Sequence, residues 1–437
     1  MEILSLITVC LLGALAAILA NRSIAVFNDG LRPIVGQYKD GQISRKALAA
    51  LSFSISIGLV VGFGIPVSIG ATIILIHSIL LGTDIIGTWA PNTKQGIIIS
   101  GIVGAIYGLL IVVGLEFVVS GIEKLPYNFL NELGMIGNPI VLAFAVFPAI
   151  AVATQHGFKK GTITFTVEML VLFATFFFGK IEVSETVTIT LSKEGMTLLA
   201  GMMMLLYYSI KIESEGDSNQ KLVQIFESKV NEINSNKWLL AVMGGLVASA
   251  TSLLLVAGDL VSLNLLSEGN NAEAAIAVFA RALGIIPLVF TTAIVSGVYG
   301  PVGTTLVFFA GIVAIGNPIL AFGLGFIIIV IEILLLAKAA KGMDKFPGVK
   351  DMGEGIRSSM NKVLELALII GGAIACHAIA AEFGYFWLIG IYALNEFSPK
   401  PIVKLAVGPL AAILLGIIMN ILVVIGLYVQ PEVGLIW

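Results

Sequence analysis

Long apolar runs separated by short charged loops set the pattern of this chain. The runs 47–82, 96–119, 138–155, 160–179, 274–340 and 402–428 contain very few charges. A bilayer core of ~30 Å needs roughly 20 apolar residues per helix, so the pattern predicts an all-α polytopic membrane protein with about 12–14 transmembrane or re-entrant helices. Residues 3–20 form a further run. Glu2 is the only charge ahead of it, whereas Arg22, Arg32, Lys39, Arg45 and Lys46 follow it. A cleavable signal carries its positive charges in front, so this run is read as a retained first helix with its N-terminus outside.

Lys and Arg concentrate in cytoplasmic loops. Loops 21–46, 211–237 and 338–362 carry five, four and six of them, and 263–273 carries none. With the first three inside and the last outside, the runs amount to about fourteen crossings, half of them on each side of a polar connector. The runs 66–82, 301–316 and 384–397 are short for a straight span and leave room for re-entrant segments. An odd number of crossings per half turns the second half over. The expected division is a membrane half 1–211, a cytoplasmic amphipathic connector 212–237 and a membrane half 238–437 of inverted topology. Gly62–Thr72 around Pro66 and Gly297–Thr305 around Pro301 echo each other at an offset of 235 residues. They are expected to mark two breaks that share one polar cavity near the midplane. In the connector, Leu222, Phe226, Val230 and Ile233 recur at helical spacing, as in a strap lying on the membrane surface. Residues 180–194 alternate and predict an extended loop.

Composition points the same way. The chain is 58% apolar and 12% charged, where soluble domains are about half apolar and a quarter charged. A net charge of −3 with no basic cluster excludes nucleic acid as a partner. Cys10 and Cys376 lack any C-x-x-C neighbour, which leaves no disulfide framework or zinc site. No H-E-x-x-H, G-x-S-x-G or Walker A pattern occurs, so no motif names an enzyme.

A charge inside the membrane costs ~2.5–3.5 kcal/mol on insertion scales, so each one needs a reason. Glu332, Asp84 and Glu168 are the candidates for binding a coupling ion or proton. Asn28, Asp29 and Arg32 follow the first helix beside Gly30 and Pro33, where a break would free backbone groups and helix ends for an ion or anionic solute. With Arg281, Thr72, Thr304, Asn395 and Glu396 they make up the candidate substrate-binding set, because guanidinium groups suit carboxylate or phosphate. Arg281 and Glu332 are expected at depths of roughly 10 and 22 Å below the outer face, hence in separate roles rather than in a salt bridge. The competing reading of each charge is a structural ion pair or a side chain reaching the interface. His77 and His377 lie in apolar runs and could take part in proton transfer.

The stretch Arg22-Ser-x-Ala25-Val-Phe-x-Asp29-Gly-x-Arg32-Pro33-Ile34 resembles the opening of the YhfT family of bacterial inner-membrane proteins. Arg281-x-Leu-Gly-x-x-Pro287-Leu, Thr291-Thr-Ala and Gly297-Val-Tyr299 continue the likeness, as do Asn317-Pro318, Glu332, Arg357, Asn361 and Asn395-Glu396. The resemblance implies a multi-pass protein of the bacterial inner (cytoplasmic) membrane, in a family of transport proteins of unassigned substrate. By fold-level analogy it also implies an elevator-like architecture and a homodimer. The expected function is a secondary transporter, coupled to H⁺ or Na⁺, of a small polar solute that is anionic or zwitterionic, with no bound cofactor and with the lipid bilayer around it. The alternatives are an intramembrane enzyme using His377 or His77 with an acid, and a non-transporting membrane subunit.

Overall fold

The computed structural model describes residues 3–71, 73–184, 187–191, 193–211, 218–342, 352–399, 401–402 and 404–428. Helix α1 (Ile3–Asn21) ends in a first break at 22–31, after which the short α2 (Arg32–Lys39) starts with a proline where a missing N–H is harmless. Helix α3 (Arg45–Leu59), capped by the Ser44 hydroxyl, passes through a π-helical turn (Val60–Gly64) into α4 (Ile65–Ala71). Pro66 therefore lies inside a helix and marks no break. Its absent N–H is absorbed by the wider π turn just before it. The chain breaks only beyond Ala71, at β1 (Ile74–Leu75), and resumes as α5 (Ile76–Trp89) and α6 (Lys94–Glu123).

The first half closes with α7 (Leu130–Gly134), α8 (Asn138–His156), α9 (Phe158–Phe178), β2 (Lys180–Ser184), β3 (Val187–Thr190) and α10 (Lys193–Ile210). Strands β2 and β3 form an antiparallel hairpin in the expected extended loop. The connector contains α11 (Ser218–Ser235). Next come α12 (Lys237–Ser252), a break at 253–259 holding β4 (Val256–Ala257), α13 (Leu260–Ser267) and α14 (Asn271–Ser296). A last break at 297–305 leads to α15 (Leu306–Val313) and α16 (Pro318–Gly342). Helix α17 (Met352–Glu396) bends at Ala381, whose φ is 46°, and α18 (Lys404–Val424) ends the described chain.

The four breaks pair crosswise. Ala25 pairs in parallel with Tyr299, and β1 pairs in parallel with β4. In a bilayer, backbone groups freed by a break must be satisfied by protein. Here Val26 N–H donates to the Tyr299 carbonyl at 3.1 Å, Tyr299 N–H to Ile24 at 3.0 Å and Ile74 N–H to Leu255 at 3.1 Å. Close helix packing flanks both crossings. Gly13 of α1 faces Gly104 of α6, and Gly244 of α12 faces Gly325 of α16, so tightly that an added methyl would strike the opposite carbonyl.

Among the described residues, six helical stretches are long and apolar enough to cross a membrane, in α1, α6, α9, α16, α17 and α18. Helix α14, bent by 47° ahead of Ser296, makes a seventh. The fourteen crossings expected from the runs are not fourteen straight helices. The run 66–82 is divided between α4, β1 and α5, and 301–316 holds only the eight-residue α15. Phe165, Phe173 and Phe177 on α9 are exposed, an arrangement suited to lipid. The protein is an all-α polytopic membrane protein.

The connector helix is tied to one end of this bundle. Phe226, Val230 and Ile233 of α11 are buried. On its polar side, Lys229 Nζ reaches Asp40 Oδ2 at 3.1 Å and the Val295 carbonyl at 3.2 Å. Lys39 Nζ pairs with Glu232 at 2.8 Å and donates to the Gly297 carbonyl at 3.0 Å. Both lysines thus serve carbonyls at the C-terminal end of α14.

Candidate substrate and ion site

A cavity of about 80 Å³ lies where the breaks cross. The first break supplies Asn28 and Asp29, the start of α2 Arg32, the third break Gly258, and the last Gly303 and Thr305. His77 reaches it from the first turn of α5, and Arg281 from α14. Four of the candidate substrate-binding residues therefore meet here, Asn28, Asp29, Arg32 and Arg281, together with His77.

Arg32 is committed within the wall. It is 2% exposed, pairs with Asp29 at 2.7 Å and donates to Thr292 Oγ1 at 3.1 Å. Asn28 is held by a bond from Nδ2 to Ser56 Oγ at 3.1 Å, and its Oδ1 accepts the Gly30 N–H at 3.0 Å. Arg281 is freer. It meets Asp259 Oδ1 at only 3.6 Å, and its side chain keeps 22% of its surface exposed. Asp259 also caps α13, accepting the Ser262 N–H at 3.0 Å and the Ser262 hydroxyl at 2.9 Å.

The buried acids Asp84 and Glu332 hold the breaks in place. Asp84 Oδ2 accepts the N–H groups of Phe27 and Asn28, both at 2.9 Å. The free amides of the break thus serve as its partners. Glu332 Oε2 accepts the Tyr299 hydroxyl at 2.7 Å and the Thr304 N–H at 2.9 Å, while Oε1 takes the Thr304 hydroxyl. Between Glu332 and the cavity stands Gly303, at φ 54°, where a side chain would run into the carboxylate. Arg281 and Glu332 do not pair, in line with the depths expected for them.

His77 stands edge-on to Phe27 and Phe63, with ring centroids 4.9 and 5.2 Å away. Its Nδ1 is buried without a hydrogen-bond partner.

The remaining candidates lie elsewhere. Glu168 Oε1 accepts the Ala149 N–H at 3.1 Å, next to the proline inside α8, and Oε2 has no hydrogen-bond partner. Asn395 clamps the turn before α18 through Ile402, at 2.7 and 3.0 Å, and Glu396 pairs with Lys404 at 2.9 Å. None of these three lines the cavity. Thr304 is buried against Glu332, and Thr72 lies outside the described residues. Sequence reasoning placed Thr305 in a cavity-lining break, gave Tyr299 and Thr292 no role beyond the family resemblance, and missed Asp259. Asp259-x-x-Ser262 is a helix N-cap pattern that could have placed a break there, and Tyr299 directly precedes Gly300-Pro301.

The fold and the site define a class: a polytopic helical membrane protein whose interrupted helices cross around a small charged cavity. A family model described as "YhfT: Protein of unknown function" matches residues 5–428, a span that includes all four breaks. The chain belongs to the YhfT family. It is 32% identical to the uncharacterized protein YhfT of Escherichia coli (strain K12) over 444 residues, covering 98% of this chain and 99% of that relative. No solved structure matches.

Proposed function

We propose that the protein is a secondary transporter of a small polar solute, anionic or zwitterionic, driven by an H⁺ or Na⁺ gradient across a bacterial inner membrane. The observation that carries this reading is the cavity at the crossing of the breaks, with Arg281 as its least committed cation. Interrupted helices inside a membrane place helix ends and polar groups where solutes and coupling ions bind.

The crosswise pairing supports the same reading. Ala25 and Val256 stand 231 residues apart, and Ile74 and Tyr299 stand 225 apart. Exchanging the two halves therefore maps one bridged pair onto the other. The positive-φ residues Ser23 (φ 57°) and Leu254 (φ 55°) repeat at the same spacing of 231 residues. Two halves related in this way can interchange conformations, which would open the cavity to one face and then to the other. We extend the proposal to an elevator-like homodimer.

The enzyme reading gains nothing from His377, whose ring stacks on Tyr385 at 4.6 Å rather than meeting an acid. The test is uptake into proteoliposomes of labelled carboxylates, amino acids and sugars, with and without an imposed H⁺ or Na⁺ gradient. Gradient-dependent accumulation of any solute upholds the reading. Chemical turnover without a gradient, or no uptake above protein-free liposomes, overturns it.

A further inference from the structure

The charges around the cavity are arranged in a way that limits what can enter. Arg32 on the wall is matched by Asp29 at 2.7 Å, and Arg281 by Asp259 at 3.6 Å. The wall therefore has no spare positive charge. An anion that left water for this site would be an uncompensated buried charge, which is heavily penalised. A proton taken up on the wall would supply the missing charge, and His77 is the lining group that can take one without breaking an ion pair, since Asp29 is held by Arg32.

Its surroundings suit that task. The ring is held edge-on by Phe27 and Phe63, and its Nδ1 lacks a hydrogen-bond partner. Helices α1, α3 and α6, which pack on α5, bring no charged residue to the cavity wall, and Arg45 of α3 is held at the far end of α5 by the Gly87 and Ala90 carbonyls. Helix α14 offers Arg281, the first break offers Asp29, α2 offers Arg32, and the third break offers Asp259, paired with Arg281. Asp84 on the same helix is occupied by the amides of Phe27 and Asn28. Glu332 on α16 is occupied by Tyr299 and Thr304 and screened by Gly303. The π turn contributes Phe63 and α17 contributes Leu364, both uncharged.

Size and charge count then define the cargo. A cavity of about 80 Å³ has room only for a small solute. A single protonatable side chain balances one negative charge, whereas a phosphate dianion or a dicarboxylate would leave one unmatched. Resting on the transporter reading above, we propose that the solute is a small monocarboxylate, bound by Arg281 and carried together with one proton on His77. The proton is taken up from water on the entry face and is released, with the carboxylate, on the other. Glu332 and Asp84 are positioning residues that keep the crossing in shape.

The experiment uses the full-length protein in proteoliposomes, with labelled glycolate, lactate and pyruvate as probes and protein-free liposomes as background. With the outside at lower pH than the inside, at least one probe accumulates in the wild type, with one proton entering per carboxylate. His77→Gln, which can take no proton, loses at least tenfold in both counterflow of preloaded probe and gradient-driven accumulation. His77→Arg, which carries a fixed charge, retains counterflow at a rate independent of pH. If no probe moves, the substrate class is wrong. Accumulation of an amino acid or sugar in its place would leave the transporter reading standing and remove this one. If His77→Gln accumulates probe as the wild type does, or if folded His77→Arg supports no counterflow, the proton is not carried on His77.

Discussion

Tyr299, Thr304 and Glu332 form a hydrogen-bonded group with no slack, because both carboxylate oxygens are engaged and the site is buried. Tyr299→Phe removes one donor from Glu332 Oε2 and should lower unfolding stability by ~1–3 kcal/mol, read as a drop in melting temperature in detergent. Gly303→Ala should be worse than Tyr299→Phe, since it combines a disfavoured backbone at φ 54° with a collision against the same carboxylate. A Gly303→Ala protein as stable as wild type would show that Glu332 does not sit as described. At this scale the sequence was readable where a charge stood out against apolar neighbours, as Arg32, Arg281, Asp84 and Glu332 do. Tyr299 and Asp259 were hidden for opposite reasons. A tyrosine is unremarkable in an apolar run, and an aspartate beside the loop 263–273 reads as a solvated surface residue until its cap and its arginine are seen.

The elements carry a lesson about proline. Pro301 lies within a true break, whereas Pro66 lies inside α4 because a π turn precedes it. Both have the same local signal, glycines around a proline in an apolar run, and only the backbone partners differ. The break near Pro66 falls instead at β1, and that can be tested chemically. In a background with Cys10 and Cys376 replaced by serine, Ile74→Cys with Val256→Cys should form a disulfide under mild oxidation, as directly paired strand positions can. Failure to crosslink while the protein remains folded would contradict the β1–β4 crossing. The connector was legible as an amphipathic helix, but its attachment was not. Lys39 and Lys229 hold the end of α14 through carbonyls that carry no trace in side-chain pattern. Exposed ion pairs are worth ~0–1 kcal/mol each, so Lys39→Ala with Lys229→Ala should lower the melting temperature only modestly, and high salt should bring the wild type toward the double variant.

At the scale of the whole molecule, the helical membrane class was evident from run length and composition, since a bilayer dictates both. The crossing of the breaks was not evident. It depends on pairings between residues more than 180 apart, Ala25 with Tyr299 and Ile74 with Val256. The central claim is that the cavity opens alternately to the two sides of the membrane. Thr305 lines that cavity and its hydroxyl has no hydrogen-bond partner, so Thr305→Cys places a reporter there at little structural cost. The most direct measurement is labelling of this cysteine by a membrane-impermeant thiol reagent, in the same serine background, in right-side-out and inside-out vesicles. Alternating access predicts labelling from both faces, with each rate reduced when the protein is locked by the Ile74–Val256 disulfide. Labelling from one face only, or from neither, would contradict it.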